Sequence, residues 1–306
     1  MKTLETKSLD KFYGKFQALD KVDLTLEQGE VLGFLGPNGA GKTTTIRILL
    51  GLLRKNSGEA KLFGLDAWQD SVKIHRRLAY VPGDVNLWPN LTGGEVIDLF
   101  SKLRGGIDYK RREQLMNRFD LDPTKKCSTY SKGNRQKVGL IAAFASDVDL
   151  YILDEPTSGL DPLMMSVFQD CVLEMKQQGK TVLMSSHILA DVEKLCDRIS
   201  IIRKGQIVET GSLSQLRQKA RTTILVETGR PVTGLDTIAP VYNLRQKDNQ
   251  YQFEIDNAHI DPVMQYLAGR HIKQLTSTPP SLEDLFMRHY GDELAELNSR
   301  KEGKSA

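Results

Sequence analysis

A glycine-rich octapeptide directly after a short apolar run is the feature that most limits the fold of this chain. The run is Val31–Leu35, and the octapeptide Gly36–Thr43 fits the pattern G-x-x-x-x-G-K-[ST]. Glycines at such a turn let backbone N–H groups point inward around a polyphosphate, and a helix that begins there adds a partial positive charge. Lys42 is expected to reach the β- and γ-phosphates, and the Thr43 hydroxyl to bind Mg²⁺. The residues expected to bind a nucleotide in this segment are Gly36, Pro37, Asn38, Gly39, Ala40, Gly41, Lys42, Thr43 and Thr44.

Two adjacent carboxylates end a second apolar run, Leu150–Leu153. They are Asp154 and Glu155, and a lone pair of this kind is commonly part of a solvated loop. On a chain that also carries a phosphate loop, Asp154 is expected to hold Mg²⁺ through its water shell and Glu155 to orient the attacking water. The two segments together predict hydrolysis of a nucleoside triphosphate.

The organisation of the first two thirds of the chain is typical of a parallel α/β fold. Short β-rich runs alternate with longer amphipathic segments up to about residue 212. Strands are predicted at Val31–Leu35, Tyr151–Leu153, Thr181–Met184 and Ile199–Ile202, and helices at Thr43–Leu53, Met164–Gln178 and Ile188–Cys196. Residues 86–145 interrupt the alternation with helical patterns at Gly94–Leu103 and Lys110–Phe119, which predicts a helical insertion within a domain of residues 1–211.

The remainder has a different pattern and predicts a small α+β domain over residues 212–292. Strand-like stretches occur at Thr222–Glu227, Tyr251–Ile255 and Ile272–Thr276. A last helix is expected to begin at Ser281, because Asp284 stands three residues later as in a capping box. Residues 293–306 are read as a polar tail.

Charge, cysteine content and hydropathy exclude several classes of protein. The chain has 42 Lys and Arg against 39 Asp and Glu in 306 residues, and this slight excess does not favour nucleic acid as a partner. Its three cysteines have no C-x-x-C spacing, which argues against a disulfide scaffold or a zinc ribbon. The longest uncharged apolar runs are about six residues, whereas a spanning helix needs about 18 to 20. The beginning of the chain does not resemble a signal peptide.

The two motifs, taken with their neighbours, resemble those of the ATP-binding cassette (ABC) family. The segment Asp154–Pro162 reads DEPTSGLDP and is similar to the Walker B and D-loop sequence of that family, and Gly36–Thr43 is similar to its Walker A sequence. Ser185-Ser186-His187 resembles its switch histidine, so the likeness covers about residues 3–210. It implies a P-loop NTPase fold, ATP and Mg²⁺ as cofactors, and a head-to-tail dimer closed over two ATP molecules. It also implies that His187 contacts the γ-phosphate.

Two further features of the family, an aromatic residue that contacts adenine and the signature motif, are also matched, the second with changes in sequence. Tyr13 matches the aromatic residue that stacks on adenine, although an aromatic residue on an edge strand is the alternative. The signature, usually LSGGQ, reads Tyr130-Ser131-Lys132-Gly133-Asn134. Ser131 and Gly133 are the positions that the resemblance assigns to the γ-phosphate of the opposite molecule.

A larger departure occurs in Tyr80–Asp84, which reads YVPGD. The family normally places a glutamine, which senses Mg²⁺ and the transmembrane partner, where this chain has Gly83. Asp84 is either a substitute ligand for Mg²⁺, since carboxylate oxygen suits that ion, or an ordinary loop residue.

These departures, with the ending of residues 280–290, resemble a subgroup of bacterial cassettes that serve drug, antibiotic or lantibiotic export. The resemblance implies a subunit that hydrolyses ATP to drive a separate permease, bound peripherally at the cytoplasmic face of the membrane and contacting the membrane only through that permease. The second cassette is either another copy or a different chain. A soluble regulatory or non-transport ABC ATPase is the alternative function. Trp88 is either an anchor for the permease or part of the subdomain core.

Overall fold

The computed structural model describes residues 1–103, 106, 108–218 and 221–278. The chain divides into two compact units, Met1–Thr210 and the remainder from Gly211. Each unit has its own buried core, so each is described separately.

The first unit contains two sheets and the helices around them. In chain order its elements are β1 (Lys2–Tyr13), β2 (Phe16–Glu27), β3 (Val31–Leu35), α1 (Lys42–Leu49), β4 (Ser57–Leu62), β5 (Leu65–Asp66), α2 (Ser71–His75), β6 (Leu78–Val81), α3 (Gly93–Leu103), α4 (Tyr109–Arg118), a 3-10 turn (Cys127–Thr129), α5 (Lys132–Phe144), β7 (Leu150–Asp154), α6 (Pro162–Gln177), β8 (Thr181–Ser186), α7 (Leu189–Leu195), β9 (Arg198–Arg203) and β10 (Gln206–Ser212).

The six-stranded sheet carries the motifs that the sequence analysis singled out. Its strand order is β10-β9-β3-β8-β7-β6, and β3 pairs in parallel with both β8 and β9. All five residues of β3 and of β7 are buried, as expected for strands covered on both faces. The carboxyl ends of β3, β7 and β8 therefore lie side by side, and the phosphate loop, the two carboxylates and His187 all follow these ends.

The second sheet of this unit is antiparallel, in the order β2-β1-β4-β5. The sequence analysis did not predict these strands. The apolar side chains of β1 and β2 that face the core include Leu4, Leu9 and Leu24, all essentially inaccessible, while the charged residues between them face solvent.

The insertion between β6 and β7 is helical, as the pattern over residues 86–145 predicts. A capping box begins α3, with Thr92 and Glu95 exchanging backbone-to-side-chain bonds of 2.7 and 3.2 Å. Asp108 caps α4, and Ser131 caps α5. In the described part of the insertion, one isolated bridge between Thr92 and Lys126 is the sole β pairing.

The second unit is a four-stranded antiparallel sheet with helices that share its core. Its elements are α8 (Leu213–Gln218), β11 (Thr222–Thr228), α9 (Leu235–Ile238), β12 (Val241–Lys247), β13 (Gln250–Ile255), a 3-10 turn (Asn257–His259), α10 (Ile260–Ala268) and β14 (Ile272–Thr278). The strand order is β12-β13-β11-β14. The helix expected from Ser281 and the tail over residues 293–306 lie outside the described residues.

The three cysteines all belong to the first unit and are free thiols in buried positions: Cys127, Cys171 and Cys196. Burial raises the pKa of each thiol, that of Cys171 to about 11. Among the described residues, no helix has both the length and the apolar character needed to cross a bilayer.

Candidate nucleotide site

The phosphate loop joins β3 to α1 and is held by close backbone packing. A Cβ at Gly36 would lie 2.5 Å from the carbonyl oxygen of Ile202, and one at Gly41 would lie 2.8 Å from Leu19 Cδ2. Gly41 also has φ of 117°, where a side chain is strained. The two positions therefore accept only glycine without local rearrangement.

Lys42 folds back over this loop. Its Nζ donates to the carbonyl oxygens of Gly36 and Pro37 at 2.5 and 3.2 Å, and lies 3.6 Å from Glu155 Oε1. Burial lowers the pKa of Lys42, and the nearby charges of Glu155 and Asp154 partly offset that effect. A buried ammonium with one carboxylate close by is well suited to gain an anionic ligand.

Asp154 ends β7 and is 4% exposed. Its Oδ2 accepts a hydrogen bond from Thr43 Oγ1 at 3.1 Å, and its Oδ1 accepts one from the Ser185 hydroxyl. The parallel register pairs Asp154 with Ser185 across β7 and β8. The sequence analysis named Ser185 but gave it no role, although its place at the end of a neighbouring strand, two residues before His187, was a usable signal.

Glu155 follows at φ of 48°, in the left-handed region that few non-glycine residues adopt. Its N–H group donates to both the carbonyl oxygen and the hydroxyl of Ser185, each at 3.1 Å. The Oε2 atom of its carboxylate lies 3.5 Å from His187 Nδ1, and the His187 side chain is 56% exposed. Lys42, Thr43, Asp154, Glu155 and His187 thus form one polar cluster.

An open pocket of about 240 Å³ lies over this cluster. The residues lining it include an aromatic pair, the phosphate loop and one carboxylate, namely Tyr13, Phe16, Ala18, Pro37, Asn38, Gly39, Gly41, Lys42, Thr43, Thr44 and Glu155. Tyr13 is 47% exposed, and Phe16, its partner across the turn between β1 and β2, is 65% exposed. Phe16 was missed by the sequence analysis. Gly36 and Ala40 are packed beneath the loop rather than in the lining.

The signature residues lie at the N-terminus of α5, and the pocket lining just described includes neither Ser131 nor Gly133. Ser131 Oγ accepts from the Asn134 N–H at 3.2 Å, which makes it the helix cap. The Lys132 ammonium donates to Ser158 Oγ at 2.9 Å. The signature therefore packs against the segment that follows Glu155 in its own chain.

Gly83 lies against the backbone that carries the two carboxylates. A Cβ at this position would be 3.2 Å from the Asp154 carbonyl oxygen and 3.5 Å from Glu155 Cβ. Asp84 is exposed, and within the described part of the chain its carboxylate has no hydrogen bond or ion pair. Nearby Tyr80 is partly buried, and desolvation raises its pKa to about 12, to which the charge of Asp154 adds.

Comparison with known proteins identifies the family. Residues 19–158 match the family model described as ABC transporter, and residues 211–290 match that of the ATP-binding protein DrrA1-3-like C-terminal domain. The chain is 34% identical over 291 residues to the uncharacterized ABC transporter ATP-binding protein YdbJ of Bacillus subtilis, covering 93% of this chain and 94% of YdbJ. The chain belongs to the ABC transporter ATP-binding proteins.

Other relatives agree with this assignment. The bacitracin transport ATP-binding protein BcrA of Bacillus licheniformis is 30% identical over 303 residues, with 94% of this chain and 97% of BcrA covered. A solved structure of an ATP-binding subunit of an ABC transporter has 32% identity and a TM-score of 0.66, covering 71% of this chain and 92% of its own. A dimeric cassette, MJ0796 bound to ADP and Pi, shares the fold at 24% identity, with a TM-score of 0.64 and coverage of 69% of this chain and 98% of that one.

The α/β P-loop NTPase fold predicted from the sequence is thereby confirmed. The cassette is an ATP-binding, ATP-hydrolysing protein of the ABC transporter family, whose members work as dimers with transmembrane components.

Proposed function

We propose that this cassette is the ATP-hydrolysing subunit of an exporter and drives a separate permease from the cytoplasmic face of the membrane. The observation that carries the proposal is an open groove, lined by core residues and by helix α3, that exposes several apolar side chains. The likeness to the bacitracin transport protein BcrA, which covers 94% of this chain, supports an antibiotic or a related amphiphile as the exported substrate.

Within the nucleotide pocket, we assign the adenine ring to Tyr13, the phosphates to Gly36–Thr44 and the activation of water to Glu155. A buried ammonium at the loop and a carboxylate at its edge have the charges that a triphosphate and an attacking water require. His187, 3.5 Å from Glu155, is placed to orient that carboxylate and to contact the γ-phosphate. Stacking on an aromatic ring stabilises a bound base by about 1–3 kcal/mol.

The oxygen donors beside the loop fit Mg²⁺. Thr43 Oγ1, in the pocket lining, and Asp154 Oδ2 lie 3.1 Å apart, and hydroxyl and carboxylate oxygens are ligands that Mg²⁺ accepts directly or through water. When bound with ATP, the ion would neutralise phosphate charge. Thr43 and Asp154 would hold it, with Asp84 as a further ligand in place of the missing glutamine side chain.

The signature supports a head-to-tail dimer with two ATP molecules. Ser131 and Gly133 lie outside the pocket of their own chain, and the N-terminus of the 13-residue helix α5 offers N–H groups to an anion. We assign them to the γ-phosphate bound by a second cassette.

The groove lies between the core and the helical insertion and has a volume of about 520 Å³. Its exposed apolar side chains are Leu52, Val72 and Leu103, which are 64%, 72% and 69% exposed. Phe100 also lines it, and the ring centroid of Trp88 lies 6.1 Å from that of Phe100. Trp88 is 52% exposed, which favours the anchor over the subdomain core among the two alternatives for this residue. We propose that an apolar helix of the permease occupies this groove with Trp88 at its rim, because desolvating exposed apolar and aromatic surface favours association.

The docking proposal is tested with Leu52→Asp and Val72→Asp in the cells that make the protein. Both side chains are exposed, so the variants should fold and hydrolyse ATP as isolated chains at the native rate. In cells they should move from the membrane fraction to the soluble fraction. Leu244→Asp is the matched control, because Leu244 is 48% exposed in the second unit. Membrane association that survives both groove substitutions would contradict the docking site.

Export itself is tested by deleting the gene and measuring sensitivity to a panel of amphiphilic antibiotics that includes bacitracin. The deletion should sensitise the cells to at least one of them, and the native chain should restore resistance whereas Glu155→Gln should not. Unchanged sensitivity across the panel would count against an export function.

A further inference from the structure

The signature helix is fastened at three points to the segment that follows the catalytic carboxylate. Gln136 Nε2, which is buried, donates to the Pro156 carbonyl oxygen at 3.0 Å. Lys132 Nζ donates to Ser158 Oγ at 2.9 Å. At Gly133 the two backbones touch, since a Cβ there would lie 2.5 Å from the carbonyl oxygen of Gly159. These contacts couple the position of the beginning of α5 to that of residues 156–159.

The same segment is joined to Glu155 through its own backbone. The Ser158 N–H donates to the Glu155 carbonyl oxygen at 3.1 Å, closing a turn on the left-handed residue. Thr157, which is 7% exposed, donates through its hydroxyl to Asp191 Oδ2 at 3.4 Å. A displacement of Ser158 thus changes the turn that sets the direction of the Glu155 carboxylate.

Lys132 is the part of this connection that this sequence supplies. The ABC signature usually has glycine at this position, and glycine has no side chain to reach Ser158. The Lys132 stem passes over Gly159, whose missing Cβ would lie 3.4 Å from Lys132 Cγ. Among the described residues, Ser158 is the hydrogen-bond partner of the ammonium, and no carboxylate is paired with it.

We propose that Lys132 is a positioning residue that relays the state of the signature to Glu155 of the same chain. The inference rests on the proposed dimer, in which the signature contacts the ATP of the second cassette. Binding of that ATP would fix the position of the beginning of α5. Through the Lys132–Ser158 bond, that position would in turn fix the turn that orients Glu155. One site would then be competent for hydrolysis only when the opposite site is filled.

The test compares turnover with ATP-driven dimerisation. Lys132→Met should lower kcat about three- to tenfold, the size expected for losing one ordinary, solvent-exposed hydrogen bond, and leave KM within about twofold. Ser158→Ala should lower kcat similarly, and the two substitutions together should cost no more than either alone. Lys132→Arg should restore much of the activity because its guanidinium also reaches a hydroxyl. Lys110→Met is the control, since Lys110 is exposed on α4, and should behave as the native chain.

A second measurement separates the relay from the dimer on which it rests. In a Glu155→Gln background, Lys132→Met should still dimerise with ATP by light scattering. Loss of that dimer would mean that Lys132 contacts nucleotide directly, and it would overturn the relay. Losses of kcat that multiply when Lys132→Met and Ser158→Ala are combined would also overturn it. If Glu155→Gln alone stays monomeric with ATP, the proposed dimer is wrong, and the relay with it. A normal dimer with normal turnover in Lys132→Met would overturn the relay alone.

Discussion

At the scale of single residues, Glu155 is held in a backbone conformation that is costly for its type. Its φ of 48° is stabilised by the hydrogen bonds from its N–H group to Ser185, and such strain costs about 1–3 kcal/mol. The conformation points the carboxylate toward Lys42 and His187 rather than along the strand. Strain at this residue, beside a phosphate loop, supports its proposed role in orienting water.

Glu155→Gln should keep ATP binding and lower turnover about a hundredfold or more, since a positioned general base contributes about 10²–10⁴-fold. The amide keeps the shape of the side chain but cannot accept a proton. Because opening of the proposed dimer needs hydrolysis, ATP should trap the variant in a dimer. Equilibrium binding of ATP and steady-state turnover measure the two effects. Lys42→Ala is the contrasting variant and should lose ATP binding itself; native turnover in Glu155→Gln would remove this residue from the mechanism.

Asp84 offers a second test at this scale. Its exposed carboxylate follows Gly83, which lies against Asp154 and Glu155. If Asp84 supplies the missing oxygen ligand, Asp84→Ala should raise the Mg²⁺ concentration for half-maximal hydrolysis about threefold, as expected for one weak ligand among several. Asp84→Asn should do so less, because an amide oxygen remains.

Titration of Mg²⁺ at saturating ATP measures the effect. Native Mg²⁺ dependence in both Asp84 variants would identify it as an ordinary loop residue. Gly83→Gln is the companion variant. Its Cβ would be tight against the Asp154 carbonyl oxygen at 3.2 Å, so a small shift is needed, and faster basal hydrolysis would show that the native metal site lacks a ligand.

At the scale of elements, the approach of α5 to the turn after β7 depends on the absence of a side chain at Gly133. Gly133→Ala would place a Cβ 2.5 Å from the Gly159 carbonyl oxygen. Overpacking of this kind costs about 1–3 kcal/mol, whereas alanine in a helix returns up to about 1 kcal/mol relative to glycine.

We therefore expect Gly133→Ala to lower the free energy of unfolding by about 1 kcal/mol and to reduce turnover by separating α5 from Ser158. Urea denaturation and steady-state kinetics measure both. Gly269→Ala is the control, because the nearest atom to its added Cβ is at an ordinary 3.5 Å, and its stability should stay within about 0.5 kcal/mol of native. A Gly133→Ala chain with native stability and turnover would contradict the tight approach.

The elements also show how far sequence reasoning reaches. The strand β3 was predicted with its observed bounds, and most other predicted strands and helices lie within about two residues of the structure. The prediction worked because these segments carry local signals: continuous apolar runs, caps and the loop motif. The β1–β2–β4 sheet was missed because charged residues interrupt β1 and β2, and their pairing is decided by partners such as Leu62, 58 positions from Leu4.

Within the site, sequence motifs located the chemically active side chains but not the contacts among them. Ser185 bonds Asp154 only because parallel register places these strand ends together. The Lys132–Ser158 bond needs the packing of a helix against a turn 26 positions away. Long-range geometry of this kind has no local pattern for the sequence to display.

At the scale of the whole molecule, the two units have separate hydrophobic cores. Phe253, 1% exposed, lies in the core of the second unit. Phe253→Ala should lower the stability of that unit by about 3–5 kcal/mol while leaving ATP binding intact. In thermal unfolding, circular dichroism should show a transition at a lower temperature than in the native chain, because the second unit melts first. The fluorescence of Trp68 and Trp88, both in the first unit, should show no such early transition.

Leu225→Ala is the control for this variant, because Leu225 is 43% exposed on the same sheet. It should melt like the native chain. If Phe253→Ala lost ATP binding at the temperature at which its second unit unfolds, the two cores would unfold together.

Because all three thiols are buried in the first unit, their chemical labelling can report how often that unit opens. Alkylating reagents react with thiolate, and burial in the first unit keeps Cys127, Cys171 and Cys196 protonated and out of reach. When closing is faster than alkylation, labelling by maleimide should follow the equilibrium fraction of open first unit, and the second unit should contribute no signal. Bound ATP should then lower the labelling rate by the factor by which it depletes the open form, so mass spectrometry of the labelled protein would measure nucleotide affinity without any introduced probe.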